Sequence, residues 1–158
     1  MRFEVMSSDY DENRHFFLSH YFRDNFEKAM SRLPNMATGI EINRVEVWVT
    51  NKRADFTSAR NVIGFLDLGE TRRIHNSHWV ANPTSKYPTN KSNSLYEEIV
   101  AIGDGLRDIQ KANATLSSLY AGLGITGGED YEKVESARRL EENEYTVNRQ
   151  MGFISLRT

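Results

Sequence analysis

The chain contains no cysteine, which excludes disulfides, thiolate nucleophiles and zinc-cysteine centres and leaves open whether it works in a reducing or an oxidising compartment. It has no uninterrupted apolar run near the roughly 20 residues that a spanning helix needs, and no apolar core follows Arg2 as in a secretory signal. The chain as given therefore reads as neither exported by its own leader nor membrane-embedded. It lacks charge of one dominant sign: the formal net charge is -2. No global field draws it to nucleic acid or to an anionic membrane surface. Internal repeats, low-complexity tracts and long heptad arrays are also missing. What remains, 158 residues with 39% hydrophobic and 27% charged side chains, reads as one soluble domain with a single sizeable core spanning residues 1–158.

The most informative stretch is residues 39–70, GIEINRVEVWVTNKRADFTSARNVIGFLDLGE. Val45, Val47 and Val49 alternate with Arg44, Glu46, Trp48 and Thr50, the period of a half-buried strand. Val62, Ile63, Phe65, Leu66 and Leu68 put apolar groups on both faces, so this second strand is expected inside a sheet, covered on both sides. Together the two runs predict a β-hairpin, with the parity change between Ile42 and Val45 marking a bulge or a late strand start.

Elsewhere, residues 3–6 predict a short strand. Asp9 and Glu12, at capping-box spacing, predict the start of a helix carried by Leu18, Phe22, Phe26, Ala29 and Leu33 and stopped by Pro34. Phe16, Phe17 and Tyr21 widen its apolar surface, which is either packed in the core or turned to a neighbouring domain. Cut out of a larger protein, such a surface would promote self-association. Residues 71–93, with Pro83, Pro88 and many Asn and Ser, predict a long surface loop. Ser94 and Glu97 open a helix along Leu95, Ile99, Ile102, Leu106 and Ile109, and Leu116, Leu119 and Tyr120 either continue it or start another. GLGITGG at residues 122–128 breaks it, residues 129–140 predict an exposed helix with Tyr131, Val134 and Ala137 inward, and two short strands flank the NRQMG turn. The fold class is α+β, a small mixed or antiparallel sheet with packed helices.

RVEVWVTNKR followed by ARNVIGFLDLGE resembles a segment of the SprA (Sov) family, very large outer-membrane proteins of type IX secretion and gliding motility. FFLSHYFRDNFEKAMSRLP and EYTVNRQMGFISL resemble the same family in the same order, so matching blocks lie at the start, middle and end. The resemblance implies a fragment of a long parent whose own start carries the export signal. It further implies a domain in the periplasmic or extracellular space that packs against the rest of its parent chain, other secretion components or secreted cargo.

The residues themselves offer little catalytic chemistry. His75 and His78 lack a third convergent ligand and the helical H-E-x-x-H frame, so no metal is expected. Asp67 and Glu70 are spaced like a carboxylate pair for glycoside hydrolysis, but an Asp at a strand end more often accepts backbone hydrogen bonds. No G-x-S-x-G elbow is present, and the 122–128 glycines lack the Lys-Ser/Thr ending of a P-loop and follow a helix rather than a strand. No enzyme activity and no cofactor are expected. The candidate interaction surface is Phe16, Phe17, Tyr21, Trp79 and Tyr87. The alternative function is glycan or peptide binding, or adhesion, through the 71–93 loop, where Arg72, Arg73, Lys86 and Lys91 surround Trp79 and Tyr87.

Overall fold

The computed structural model describes residues 6, 11–36, 38–52 and 59–157. Apart from Met6, the strand expected at residues 3–6 lies outside these, as does the acidic cap at Asp9. The fold is α+β, with two antiparallel three-stranded sheets and three α-helices among the described residues. The chain divides into two compact units, Met1–Val45 with Leu140–Thr158, and Glu46–Arg139.

In the first unit, β1 (His15–Phe17) pairs with β6 (Phe153–Leu156), which pairs with β5 (Tyr145–Asn148). The two strands around the NRQMG turn form as the sequence predicts. In that turn the Gly152 N–H donates to the Asn148 carbonyl at 2.8 Å, and the Met151 N–H to Asn148 Oδ1 at 2.9 Å. Ile154, opposite both Phe16 and Val147, is buried at the centre of this sheet.

Helix α1 (His20–Met30) starts later than predicted: His15–Phe17 is strand, and the cap position is Ser19. Of the predicted stripe, Phe22 and Ala29 are buried, while Leu18 and Leu33 are exposed. Phe17, Phe26 and Phe153 meet edge to face at 5.3–6.4 Å between ring centroids, the arrangement that ring quadrupoles favour.

The second unit differs most from the sequence expectation. β2 (Trp48–Thr50) and β3 (Arg60–Phe65) do not form a hairpin. Each pairs antiparallel with β4 (Tyr131–Arg139), which lies between them where a helix was expected. The helix-like spacing in β4 has a geometric cause. The register runs Phe65 opposite Tyr131 to Val62 opposite Val134, but Arg60 sits opposite Ala137, so β4 carries one extra residue. This bulge puts Val134 and Ala137, three apart, on the same face, imitating a helical interval. Ser136 adopts φ 51° within it, and its N–H donates to Asn61 Oδ1 at 3.0 Å. β3 is accordingly an edge strand of the described sheet rather than a doubly covered inner one, and Leu66 and Leu68, beyond its end, are exposed. β2 starts late, at Trp48, one of the two outcomes the parity change allowed.

Helix α2 (Leu95–Ile102) begins where Ser94 and Glu97 predict, through different chemistry. The Ser94 hydroxyl accepts from the Val80 N–H at 3.1 Å, and Asn93 Oδ1 takes the Leu95 N–H at 2.9 Å. A short 3-10 segment, Gly103–Leu106, separates it from α3 (Ile109–Leu123), so the later leucines belong to a new helix. α3 ends at Gly124 in the left-handed region, φ 68°, the conformation glycine tolerates best.

Asp108 caps α3 by accepting the Gln110 N–H at 2.9 Å. That bond, opposed by desolvation and joined by the hydrogen bonds and charge of Lys111, holds the Asp108 carboxyl below its ordinary 3.8. A carboxyl depressed in the folded state contributes stability above its unfolded value and loses it as pH falls through the folded one. Urea midpoints measured at neutral pH and below pH 3.8 should therefore converge for Asp108→Asn and the wild type at the acid end. At neutral pH the variant is expected to be the less stable.

Candidate interaction surfaces

The 66–94 segment is a built structure despite having almost no regular secondary structure. It leaves β3 with the Leu66 N–H donating to the Asp130 carbonyl at 2.9 Å. The Asp67 carboxylate, 2% exposed, accepts the backbone N–H groups of His75 at 2.8 Å and Asn76 at 2.9 Å. The Asn76 side chain donates to Asp130 Oδ1 at 3.1 Å, and Asp130 Oδ2 takes the Thr126 N–H at 2.7 Å. Asn93 closes the far end by donating to the Asp67 and Glu70 carbonyls at 2.8 and 3.0 Å. Buried polar groups are thus turned inward and used as fasteners, which is how a long loop holds one shape.

Asn93→Asp is nearly isosteric, keeps the oxygen that caps α2 and removes the two donated bonds. At about 0.5–1.5 kcal/mol for each net hydrogen bond, and with a buried carboxyl then facing two carbonyl oxygens, it is expected to cost at least about 2 kcal/mol. Proteolysis within residues 71–93 should accelerate in the variant, and a midpoint unchanged in urea would contradict the fastening role.

The Asp67 carboxylate is consumed by backbone N–H groups, the turn-capping arrangement weighed above for such a residue. Glu70 is also buried. His75 is exposed and enters the loop network through its backbone, whereas His78 meets Trp79 edge to face at 4.9 Å and Glu98 at 3.4 Å. Among the described residues no group of three or more His, Cys, Asp or Glu is placed to hold a metal. Arg72, Arg73, Lys86 and Lys91 are all exposed.

The five candidate interaction residues fall in different settings. Trp79 is 4% exposed and forms the centre of the second unit's core with Leu95 and Ile125, packed by Phe65, Ile74, Ile99, Leu119, Leu123 and Tyr131. Its ring is core, not loop surface. Tyr87 is 42% exposed. In the first unit Tyr21 is half-buried and its hydroxyl donates to the Thr38 carbonyl, while Phe16 and Phe17 lie on β1, 42% and 40% exposed. They are strand residues rather than part of the helix surface. The structure brings Phe16, Phe17 and Tyr21 into one unit, and Trp79 and Tyr87 into the other.

A groove of about 670 Å³ runs between α3 and the start of β4 in the second unit, walled by Asn113, Ser117 and Tyr120 on one side and Tyr131 to Lys133 on the other. The wall at residues 131–133 exists because this segment is strand and not the helix its apolar spacing predicts.

Among the described residues no helix is long and apolar enough to cross a membrane. No curated protein matches the chain. The family model SprA_N, described as motility related/secretion protein, matches residues 1–156, nearly the full 158. It covers all three blocks on which the resemblance rests and the intervening region as well. By that match, the chain belongs to the SprA_N family of motility related/secretion proteins.

Proposed function

We propose that this chain is a non-catalytic structural and interaction module of a SprA-like cell-surface protein acting in type IX protein secretion and gliding motility. The observation that carries the reading is the family match across residues 1–156. In this reading the module occupies the aqueous space on the periplasmic or extracellular side of the outer membrane, as part of a longer parent. Its work is to pack against the rest of that parent, other secretion components or passing cargo. The edge of the first unit supports it: Phe16, Phe17 and Leu18 are each more than a third exposed, and adjacent exposed apolar side chains favour association. The Asp67 carboxylate supports the absence of catalysis, because both its oxygens are held by backbone N–H groups.

An antibody against the chain, used on fractionated source cells, tests the reading. A band far larger than 18.2 kDa in the outer-membrane fraction is expected. Replacing Phe16 and Phe17 by Ser in the parent should then reduce cargo release without removing the band. A band near 18.2 kDa outside the membrane fraction would overturn the proposal.

A further inference from the structure

The groove between α3 and β4 combines three properties. Its floor is apolar and buried, formed by Leu116 and Ile125. Its rim is polar in both senses, with the Asn113 amide and Ser117 hydroxyl on α3 facing Glu132 and Lys133 on β4. At its edge stands Tyr120, 62% exposed, the aromatic residue of α3. A concavity of several hundred Å³ with an apolar base and a few convergent polar groups is the usual form of a small-ligand site.

The charge at the rim narrows the ligand class. Lys133 Nζ donates across the groove to Asn113 Oδ1 at 2.5 Å and along its own strand to Glu135 Oε1 at 2.6 Å. Its hydrogen bond and charge hold the Glu135 carboxyl below its ordinary 4.5. The one ammonium at the rim is thus balanced by the Glu135 carboxylate, with Glu132 as a second, and phosphate, sulfate or uronate groups would meet net negative charge. The Ser117 hydroxyl donates to the Asn113 carbonyl at 2.9 Å, so the rim offers the Asn113 side-chain N–H groups as donors and the Ser117 and Glu132 oxygens as acceptors. The exposed phenol ring adds a flat apolar face with a polar tip. A neutral pyranose has the complementary build, hydroxyls around its edge and C–H groups on its face. An extended peptide would instead need apolar sockets for alternate side chains, and the rim of this groove is polar.

We infer that the groove lined by Asn113, Ser117, Tyr120, Glu132 and Lys133 binds an uncharged oligosaccharide, with Tyr120 stacking on a sugar face. No residue of the 71–93 loop lines this site, and it does not depend on the secretion reading. The test is a titration of the isotope-labelled 158-residue chain with cellohexaose, chitohexaose, maltohexaose and laminarihexaose, each followed by amide chemical shifts. At least one is expected to give saturable shifts at residues 113–120 and 131–133 at millimolar concentration or below. Tyr120→Ala, at an exposed position that leaves the fold intact, should weaken that binding about ten-fold, a change of about 1.4 kcal/mol. The proposal is overturned by the absence of saturable shifts with all four sugars, by shifts that Tyr120→Ala leaves unchanged, or by a groove that answers only to a pool of short peptides run in parallel.

Discussion

Gly152→Val is expected to be strongly destabilising to the first unit. A Cβ built at Gly152 falls 1.9 Å from Phe22 Cγ, and 2.2 Å from each Cδ of the same ring. Phe22 is 4% exposed, and its ring has little room to retreat. Gly152 also holds φ 65°, where an L side chain adds about 1–2 kcal/mol of backbone strain, and forced overpacking adds about 1–3 kcal/mol. The sum, about 2–5 kcal/mol, is a large fraction of the total stability of an ordinary domain. The β-branched valine lies at the upper end, because it cannot turn both methyl groups away from the ring.

Thermal unfolding read by tyrosine and tryptophan absorbance checks the result, with a drop of about 4–20 °C expected at about 2–4 °C per kcal/mol. A second variant separates clash from strain. Phe22→Leu alone loses ring packing, yet in the Gly152→Val background it also opens space for the valine, so the two costs should add to less than their sum. Strict additivity would show that φ strain, and not the ring, accounts for the loss.

Trp79→Ala is expected to cost about 3–5 kcal/mol, the range for emptying a buried large aromatic site. Trp79 is the shared contact of the second unit's core, joining Leu95 at the start of α2 to Ile125 just past the end of α3. Its backbone N–H is also fastened to the Asn76 carbonyl at 3.1 Å, so the loop and the core are held at one residue. Replacement should lower the melting temperature by about 6–20 °C, at about 2–4 °C per kcal/mol, and expose the 71–93 loop to protease. Tyr87→Ala, at a position 42% exposed, should stay within about 0.5 kcal/mol of wild type. If Trp79→Ala were as mild as Tyr87→Ala, the tryptophan would not hold the core, and the loop-binding reading would regain its anchor. Any binding assay on a Trp79 variant therefore needs a folding control.

The features legible in the sequence were those set by neighbours along the chain. The helix at Leu95–Ile102 was readable from the spacing of Leu95, Ile99 and Ile102, and β5 and β6 from their apolar residues around the NRQMG turn. The capping chemistry was not: Ser94 turned out to serve Val80, and Asn93, one residue earlier, caps the helix. A side chain that short reaches whichever N–H the fold brings close, and the Val80 N–H comes from fourteen residues away. The candidate residues show the same division. Exposed Tyr87 and buried Trp79 sit in the same polar loop, and composition alone makes them equivalent.

By itself the sequence determined the α+β class, the family, the length and polarity of the 71–93 loop, and the exclusion of disulfide and thiolate chemistry. All of these depend on residue identity or on periodicities within one segment. Tertiary structure alone decided that Trp48–Thr50 and Arg60–Phe65 never pair with each other and are joined through Tyr131–Arg139. Strand pairing is a contact between segments far apart in sequence, and the bulge at Ser136 erases the period that would have announced the central strand. The groove beside α3 exists only because that strand is where it is.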